Sequence, residues 1–250
     1  MSRANAFTDI LRSEFPDDRV TFQKGIATFH PENAGEAAAY FKLANKHGQK
    51  SFITGFGNNL DPEGELFHPL VAIRTDRLNQ LLDVALQDFY VKVGAGFPLR
   101  EINLDIAPDN LYLPHSALPY VGSVGGAIAV NLAADVNHYD LQIKKYLIRA
   151  EIVTPEGEII TPGSACFKSV SGLDVVKIFA PSWGLLGLVV NATFRVLPLT
   201  AREEFDNMRM QEVDRAHFLS GIVETNTDVD AEYSRKIKAR FDPNGVLPIV

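Results

Sequence analysis

Apolar positions along this chain change their spacing twice, and the changes mark its organisation. Asn33 stands three residues before Glu36, ahead of Ala37, Phe41 and Ala44. That pattern predicts a capped helix with one apolar face, and Gly48 is its stop. Ser51 to Thr54 reads as a short buried strand, and Leu70 to Arg74 as another. Helices alternating with strands from residue 20 to 75 predict a parallel-sheet layout.

Beyond residue 75 the period becomes two. Tyr90 to Val93 alternates and ends in Gly94-Ala95-Gly96, and Pro98 opens a helix with Leu99, Ile102 and Ile106 on one side. Ile148, Ala150 and Ile152 alternate with Leu147, Arg149 and Glu151; after the turn Pro155-Glu156-Gly157, residues 158 to 161 return as a hairpin. Leu188, Val190, Ala192, Phe194 and Val196 share one face, with Asn191, Thr193 and Arg195 on the other, as in a half-buried antiparallel strand. Pro198 ends it. Residues 199 to 250 are polar and poor in strands; Tyr233, Ile237 and Phe241 share a helical face, and Asp242-Pro243-Asn244-Gly245 is a turn. The expected units are therefore 1–75, 76–198 and 199–250.

Three glycine turns punctuate this pattern. Thr54-Gly55-Phe56-Gly57-Asn58-Asn59-Leu60 follows the first short strand. Val121-Gly122-Ser123-Val124-Gly125-Gly126 holds three glycines and a serine in five residues, and Asn131 follows an apolar run after it. Trp183-Gly184-Leu185-Leu186-Gly187 precedes the long alternating strand. Glycine lets backbone turn sharply and approach a ligand closely, and successive N–H groups in such turns form concavities for anions. Three in one chain predict a large ligand held mostly by backbone.

Composition narrows the partners. The 250 residues suffice for one large domain or two small ones. A formal net charge of −7 argues against nucleic acid, which needs clustered Lys and Arg. No stretch approaches the roughly 20 apolar residues of a membrane span. Cys166, the single cysteine, forms no disulfide within the chain and reads as a small core residue. Residues 1 to 19 lack the apolar core of a signal peptide, so the expected location is the cytoplasm. Neither metal-ligand spacing nor a nucleophile triad is present, so no metal is expected and the catalytic residues are unassigned.

The order of the three turns resembles the FAD-binding module of the vanillyl-alcohol oxidase and p-cresol methylhydroxylase (PCMH-type) superfamily, in particular the smaller FAD-binding subunit of glycolate oxidase. The resemblance covers roughly residues 28 to 198 and 236 to 247. It implies an α+β fold of two FAD-binding subdomains, with the substrate cap reduced to a remnant after residue 198. Thr54, Gly55, Phe56, Gly57, Asn58, Asn59 and Leu60 stand where the family has its pyrophosphate loop. Pro114, His115 and Ser116, with Val121, Gly122, Ser123, Gly125, Gly126 and Asn131, are similar to its second flavin segment. Leu185, Gly187, Leu188 and Val189 are similar to its adenine-side segment. His115 either faces the flavin or caps a strand end.

The cofactor implied is FAD. The family's covalent attachment positions are Phe56 or Asn58 here, which implies non-covalent FAD. The function implied is oxidation of a small 2-hydroxy acid, as an oxidoreductase or its FAD-bearing subunit, with a partner subunit or second copy covering the flavin face. Two other functions fit the same residues. One is a degenerate FAD-binding scaffold. The other is a reductase like that of UDP-N-acetylenolpyruvoylglucosamine, although Phe167-Lys168-Ser169 lacks the arginine of its Tyr-Arg-x-Ser element. Replacing Gly57 or Gly125 by valine is expected to abolish FAD binding and leave the fold intact.

Overall fold

The computed structural model describes residues 3–58, 67–137, 139–164, 175–221 and 228–249. The first part comprises α1 (Arg3–Glu14), β1 (Val20–Gln23), β2 (Ile26–Phe29), α2 (Ala34–His47), β3 (Ser51–Thr54) and β4 (Val71–Arg74). Its sheet has the order β1-β2-β4-β3, in which β1 and β2 form a hairpin and β4 runs parallel to both β2 and β3.

α2 begins where the sequence pattern puts it. The Asn33 side chain accepts from the Glu36 N–H at 2.9 Å, and Gly48 closes the helix at φ +61°. Its inner face of Ala37, Ala38, Tyr40, Phe41 and Ala44 is buried. Tyr40 stacks on Phe29 with centroids 4.8 Å apart, and its hydroxyl pairs with Ser51 Oγ at 2.7 Å, which fixes the helix on β2 and β3. Burial of the Phe41 side chain contributes about 1.5–3 kcal/mol, and each alanine methyl less than about 1 kcal/mol.

The second part comprises β5 (Leu81–Ala85), β6 (Tyr90–Gly94), α3 (Ile102–Ile106), β7 (Leu111–Tyr112), α4 (Val124–Ala129), β8 (Ala133–Val136), β9 (Tyr139–Gln142), β10 (Leu147–Val153), β11 (Ile159–Ile160), β12 (Leu188–Arg195) and β13 (Leu197–Pro198). An antiparallel sheet of order β11-β10-β12-β6-β5 is its frame. A 3₁₀ turn over Leu99–Glu101 leads into α3, and Leu99, Ile102 and Ile106 are fully buried, as their spacing predicts. One correction concerns β12. Asn191 and Thr193 are buried rather than half exposed, because Lys92 and Arg149 flank Thr193 on the neighbouring strands and Asn191 Nδ2 donates to Glu151 at 2.6 Å.

The last part contributes β14 (Arg209–Met210), which joins β8 and β9, then α5 (Arg215–Ser220) and α6 (Val229–Phe241). The chain then returns to the first sheet, where Ser51 N–H donates to Val246 O at 2.8 Å. Val246 and Leu247 share one hydrophobic cluster with α2, β2 and β4, and with Val153, Leu188 and Val190 of the antiparallel sheet. Burial of this shared cluster joins the two sheets and sets the groove between them. Among the described residues no helix is long and apolar enough to cross a membrane.

Candidate FAD-binding groove

The parallel strands β3 and β4 both end at one edge of the groove, so the segments leaving them lie side by side at their carboxyl ends. In open sheets that is where ligands bind. β3 runs into Gly55-Phe56-Gly57-Asn58, and β4 runs into Thr75. Opposite them lie the 120–130 segment, the Ser182–Val189 turn, Arg215 of α5 and the C-terminal residues Leu247 and Pro248. Together they enclose about 1000 Å³ of space open to solvent.

Thirteen predicted positions come together here: Thr54, Gly55, Phe56, Gly57, Asn58, Gly122, Ser123, Gly125, Gly126, Leu185, Gly187, Leu188 and Val189. Asn59 and Leu60 lie outside the described residues, as do Cys166 and Phe167-Lys168-Ser169. The remainder stand off the groove. Pro114, His115 and Ser116 form a buried 3₁₀ turn. His115 is fully buried; its Nε2 lies 3.3 Å from Leu141 O and its ring packs edge-on against Tyr146 at 5.0 Å. Burial pushes its pKa down to about 4, so it stays neutral near pH 7. Asn131 is a left-handed turn residue at φ +51°, hydrogen-bonded to Gln142 and Lys144. Val121 is exposed, and its carbonyl accepts from Asn58 Nδ2 at 3.1 Å, which ties the first glycine turn to the second.

The two glycine turns divide the work differently from the sequence expectation. In the second, the N–H groups of Val124, Gly125 and Gly126 are already engaged. Val124 N–H donates to Phe97 O at 2.9 Å, Gly125 N–H to Ala95 O at 2.7 Å, and Gly126 N–H to Ser123 Oγ at 3.2 Å. These three donors are spent on packing the turn as a wall of the groove. Gly125 is glycine because a Cβ there would stand 3.0 Å from Ala95 Cβ and 3.1 Å from Ala95 O. The expectation that Gly125→Val spares the fold is thereby corrected. In the first turn, none of the backbone hydrogen bonds outside helices and strands among the described residues takes up the N–H of Gly55, Phe56, Gly57 or Asn58. Gly57 has φ +85°, and a Cβ built on it would meet nothing within 4 Å.

These donors fit a diphosphate. Buried Thr75 Oγ1, beneath Gly55, adds a hydroxyl with no hydrogen-bond partner. Among the described residues lining the groove, Arg215 is the single ionisable side chain apart from Tyr120; no carboxylate opposes an anion. Partial burial lowers the Arg215 pKa, and a guanidinium stays cationic. No His or Cys lines the described groove, and no described cluster of His, Cys, Asp and Glu is placed to hold a metal.

Sequence reasoning missed Thr75, Tyr120, Ala129, Val130, Ser182, Trp183, Arg215, Leu247 and Pro248 as wall residues. Thr75, Arg215, Leu247 and Pro248 arrive through long-range contacts; Tyr120, Ala129 and Val130, beside the second glycine turn, and Ser182 and Trp183, at the third, carried a local signal. Outside the groove, Thr21 Oγ1, His30 and Asp76 form a hydrogen-bonded series at 2.8 and 2.7 Å. It ties β1 and β2 to the segment after β4.

Comparison with known proteins agrees with this geometry. A family described as FAD binding domain matches residues 26–163. The chain is 26% identical to a D-lactate dehydrogenase of Archaeoglobus fulgidus over 168 residues, which is 67% of this chain and 38% of that protein. It is 25% identical to glycolate oxidase subunit GlcD of Bacillus subtilis over 178 residues, 69% of this chain and 37% of that one. The corresponding Escherichia coli K12 subunit is 32% identical over 125 residues, 49% of this chain and 24% of that one. The chain thus spans about a third of the length of the curated relatives it matches. An alkyldihydroxyacetonephosphate synthase structure superposes with a TM-score of 0.63 at 17% identity, covering 78% of this chain and 40% of that one, a likeness of fold. With the family match extending over more than half of its length, the chain belongs to the FAD binding domain family, and its fold is the PCMH-type FAD-binding fold.

Proposed function

We propose that this chain is the FAD-holding part of an oxidoreductase that acts on a small 2-hydroxy acid. The observation that carries the reading is the row of N–H groups at Gly55, Phe56, Gly57 and Asn58 that no backbone hydrogen bond among the described residues takes up, in a groove whose described lining holds no carboxylate. Two phosphates need convergent donors more than they need net charge, and this turn supplies them. Support for the substrate class comes from the names of the relatives, a D-lactate dehydrogenase and glycolate oxidase subunits.

Bound FAD supplies the acceptor for the two electrons of alcohol oxidation. This chain's own residues bind and orient it. Gly55 to Asn58 and Thr75 hold the diphosphate, Gly122 to Gly126 and Val130 wall the groove, and Leu185 to Val189 with Leu247 and Pro248 close its other side. Among the described residues between β13 and α6, the chain places a 3₁₀ turn over Leu199–Phe205, β14 and α5, none of them a sheet over the groove. We therefore include in the proposal a partner subunit or second copy that covers the flavin and brings the proton-transfer groups, together with the division at residues 75 and 198.

A second reading is favoured by one observation: no carboxylate, histidine or cysteine lines the described groove, so a general base is missing from it. On that reading the chain binds FAD without turnover. Anaerobic addition of glycolate or D-lactate to the FAD-loaded chain, alone and with its co-purifying partner, separates the two. Bleaching of the flavin band supports the oxidoreductase. An oxidised spectrum in every combination supports the scaffold.

A further inference from the structure

We propose that Trp183 is a stacking shelf for one of the two flat rings of the cofactor, held in place by Arg215 and Phe218 of α5. The inference rests on the FAD reading above and adds to it a recognition element drawn from the segment beyond residue 198.

Trp183 occupies left-handed backbone at φ +49°. For a bulky residue that conformation is an outlier, and such strain persists where the surroundings enforce it. The enforcement is visible. Ser182 and Trp183 both donate their N–H to Ala129 O, at 3.0 and 2.9 Å, which pins the turn to the C-terminal end of α4. The indole lines the groove. Arg215 lies over its ring at 5.9 Å, and Phe218, one helical turn further along α5, packs against it at 6.0 Å with the planes tilted by 36°. Partial burial of the guanidinium strengthens such a cation–π contact.

The position along the groove selects the ligand part. Ser123, at the N-terminal end of α4, adjoins Gly55 of the donor turn: a Cβ on Gly55 would stand 2.4 Å from Ser123 Oγ. Trp183 is fixed at the opposite end of α4. With the diphosphate at Gly55–Asn58, the Trp183 end takes a ring attached to it, the adenine or the isoalloxazine. Both are flat heteroaromatic systems suited to an indole shelf.

Trp183 is the single tryptophan of the chain, so its fluorescence reports this site alone. The test uses the full chain. FAD dissociation constants are read from flavin fluorescence for wild type, Trp183→Gly and Arg215→Ala, because energy transfer to flavin quenches tryptophan without a stacking contact. Stacking on an aromatic shelf predicts a 5- to 100-fold weaker constant for Trp183→Gly and a smaller loss for Arg215→Ala. The ligand-free melting temperature of Trp183→Gly is measured beside it, because glycine relieves the strained φ but gives up the ring contacts to Arg215 and Phe218, and the affinities are compared well below both transitions. Quenching of Trp183 by ADP assigns the adenine, and its absence with ADP assigns the isoalloxazine. A Trp183→Gly chain that binds FAD within twofold of wild type overturns the inference while leaving the FAD reading standing. Failure of the wild-type chain to bind FAD overturns both.

Discussion

Lys238 of α6 donates its ammonium to the carbonyl of Leu185, 2.8 Å away in the third glycine turn. The same ammonium donates to Leu247 O at 2.6 Å and pairs with Asp242, whose carboxylate also accepts from the Val246 and Leu247 N–H groups at 2.8 and 2.9 Å. One cation thus joins α6, the C-terminal return and the wall of the groove. Burial lowers the Lys238 pKa, opposed by the Asp242 hydrogen bond and charge.

Replacing it should loosen all three. Lys238→Met leaves the Asp242 carboxylate buried without its cation and the two carbonyls without a donor. Breaking a buried pair from one side costs about 3–5 kcal/mol. We expect urea unfolding to show a loss of about that size and FAD affinity to fall with it. An unchanged midpoint would show that this junction carries no stability.

Gly57 and Gly125 should separate binding from folding. Gly57 sits at positive φ with open space around it, so Gly57→Val strains the donor turn without a clash in the core. FAD affinity is expected to fall at least about tenfold, with a melting temperature within a few degrees of wild type. Gly125→Val drives a side chain into Ala95 and should cost about 1–3 kcal/mol of stability. Thermal unfolding and FAD titration of both variants check this; equal effects of the two on both measurements would refute the division.

His115 predicts an acid limit. Its pKa is depressed to about 4 in the folded state, against about 6.5 in the unfolded chain. Below pH 6.5 the unfolded chain takes up a proton that the folded one refuses. Stability therefore falls as pH drops from 6.5 to 4, at up to about 1.4 kcal/mol per pH unit. Its folded state gains nothing from this group above pH 6.5. His115→Leu should be less stable at pH 7, having lost the contact to Leu141 O, but should show a shallower pH dependence. Unfolding free energies at pH 7.0, 5.5 and 4.5 decide it; parallel curves would show that His115 does not set the acid dependence.

Much of this architecture is legible in the sequence because it is dictated locally. The Asn33 cap, the Gly48 stop and the strand that the period-two run predicts each depend on a few adjacent residues, and each forms at its predicted place. The three glycine turns were legible as a set, and the structure gathers them around one groove. What escaped depends on distant partners. That Gly125 serves packing follows from Ala95, thirty positions earlier. His115 leaves the groove because Leu141 and Tyr146 claim its ring. Asn191 and Thr193 are buried by neighbouring strands. Arg215, Leu247 and Pro248 reach the groove only once α5 and the C-terminal return have folded back onto it.

The central claim is that the groove between the two sheets binds FAD through the Gly55–Asn58 turn. Its most direct test is thermal unfolding of the purified chain with increasing FAD, run beside Gly57→Val. A ligand that binds only the folded state adds about 2.7 kcal/mol at a hundredfold excess over its dissociation constant, about 5–10 °C for a chain of this size. Wild type should rise by that order, and Gly57→Val little or not at all at the same FAD concentration. A wild-type melting temperature that does not move with FAD, or a Gly57→Val chain that responds equally, would contradict it.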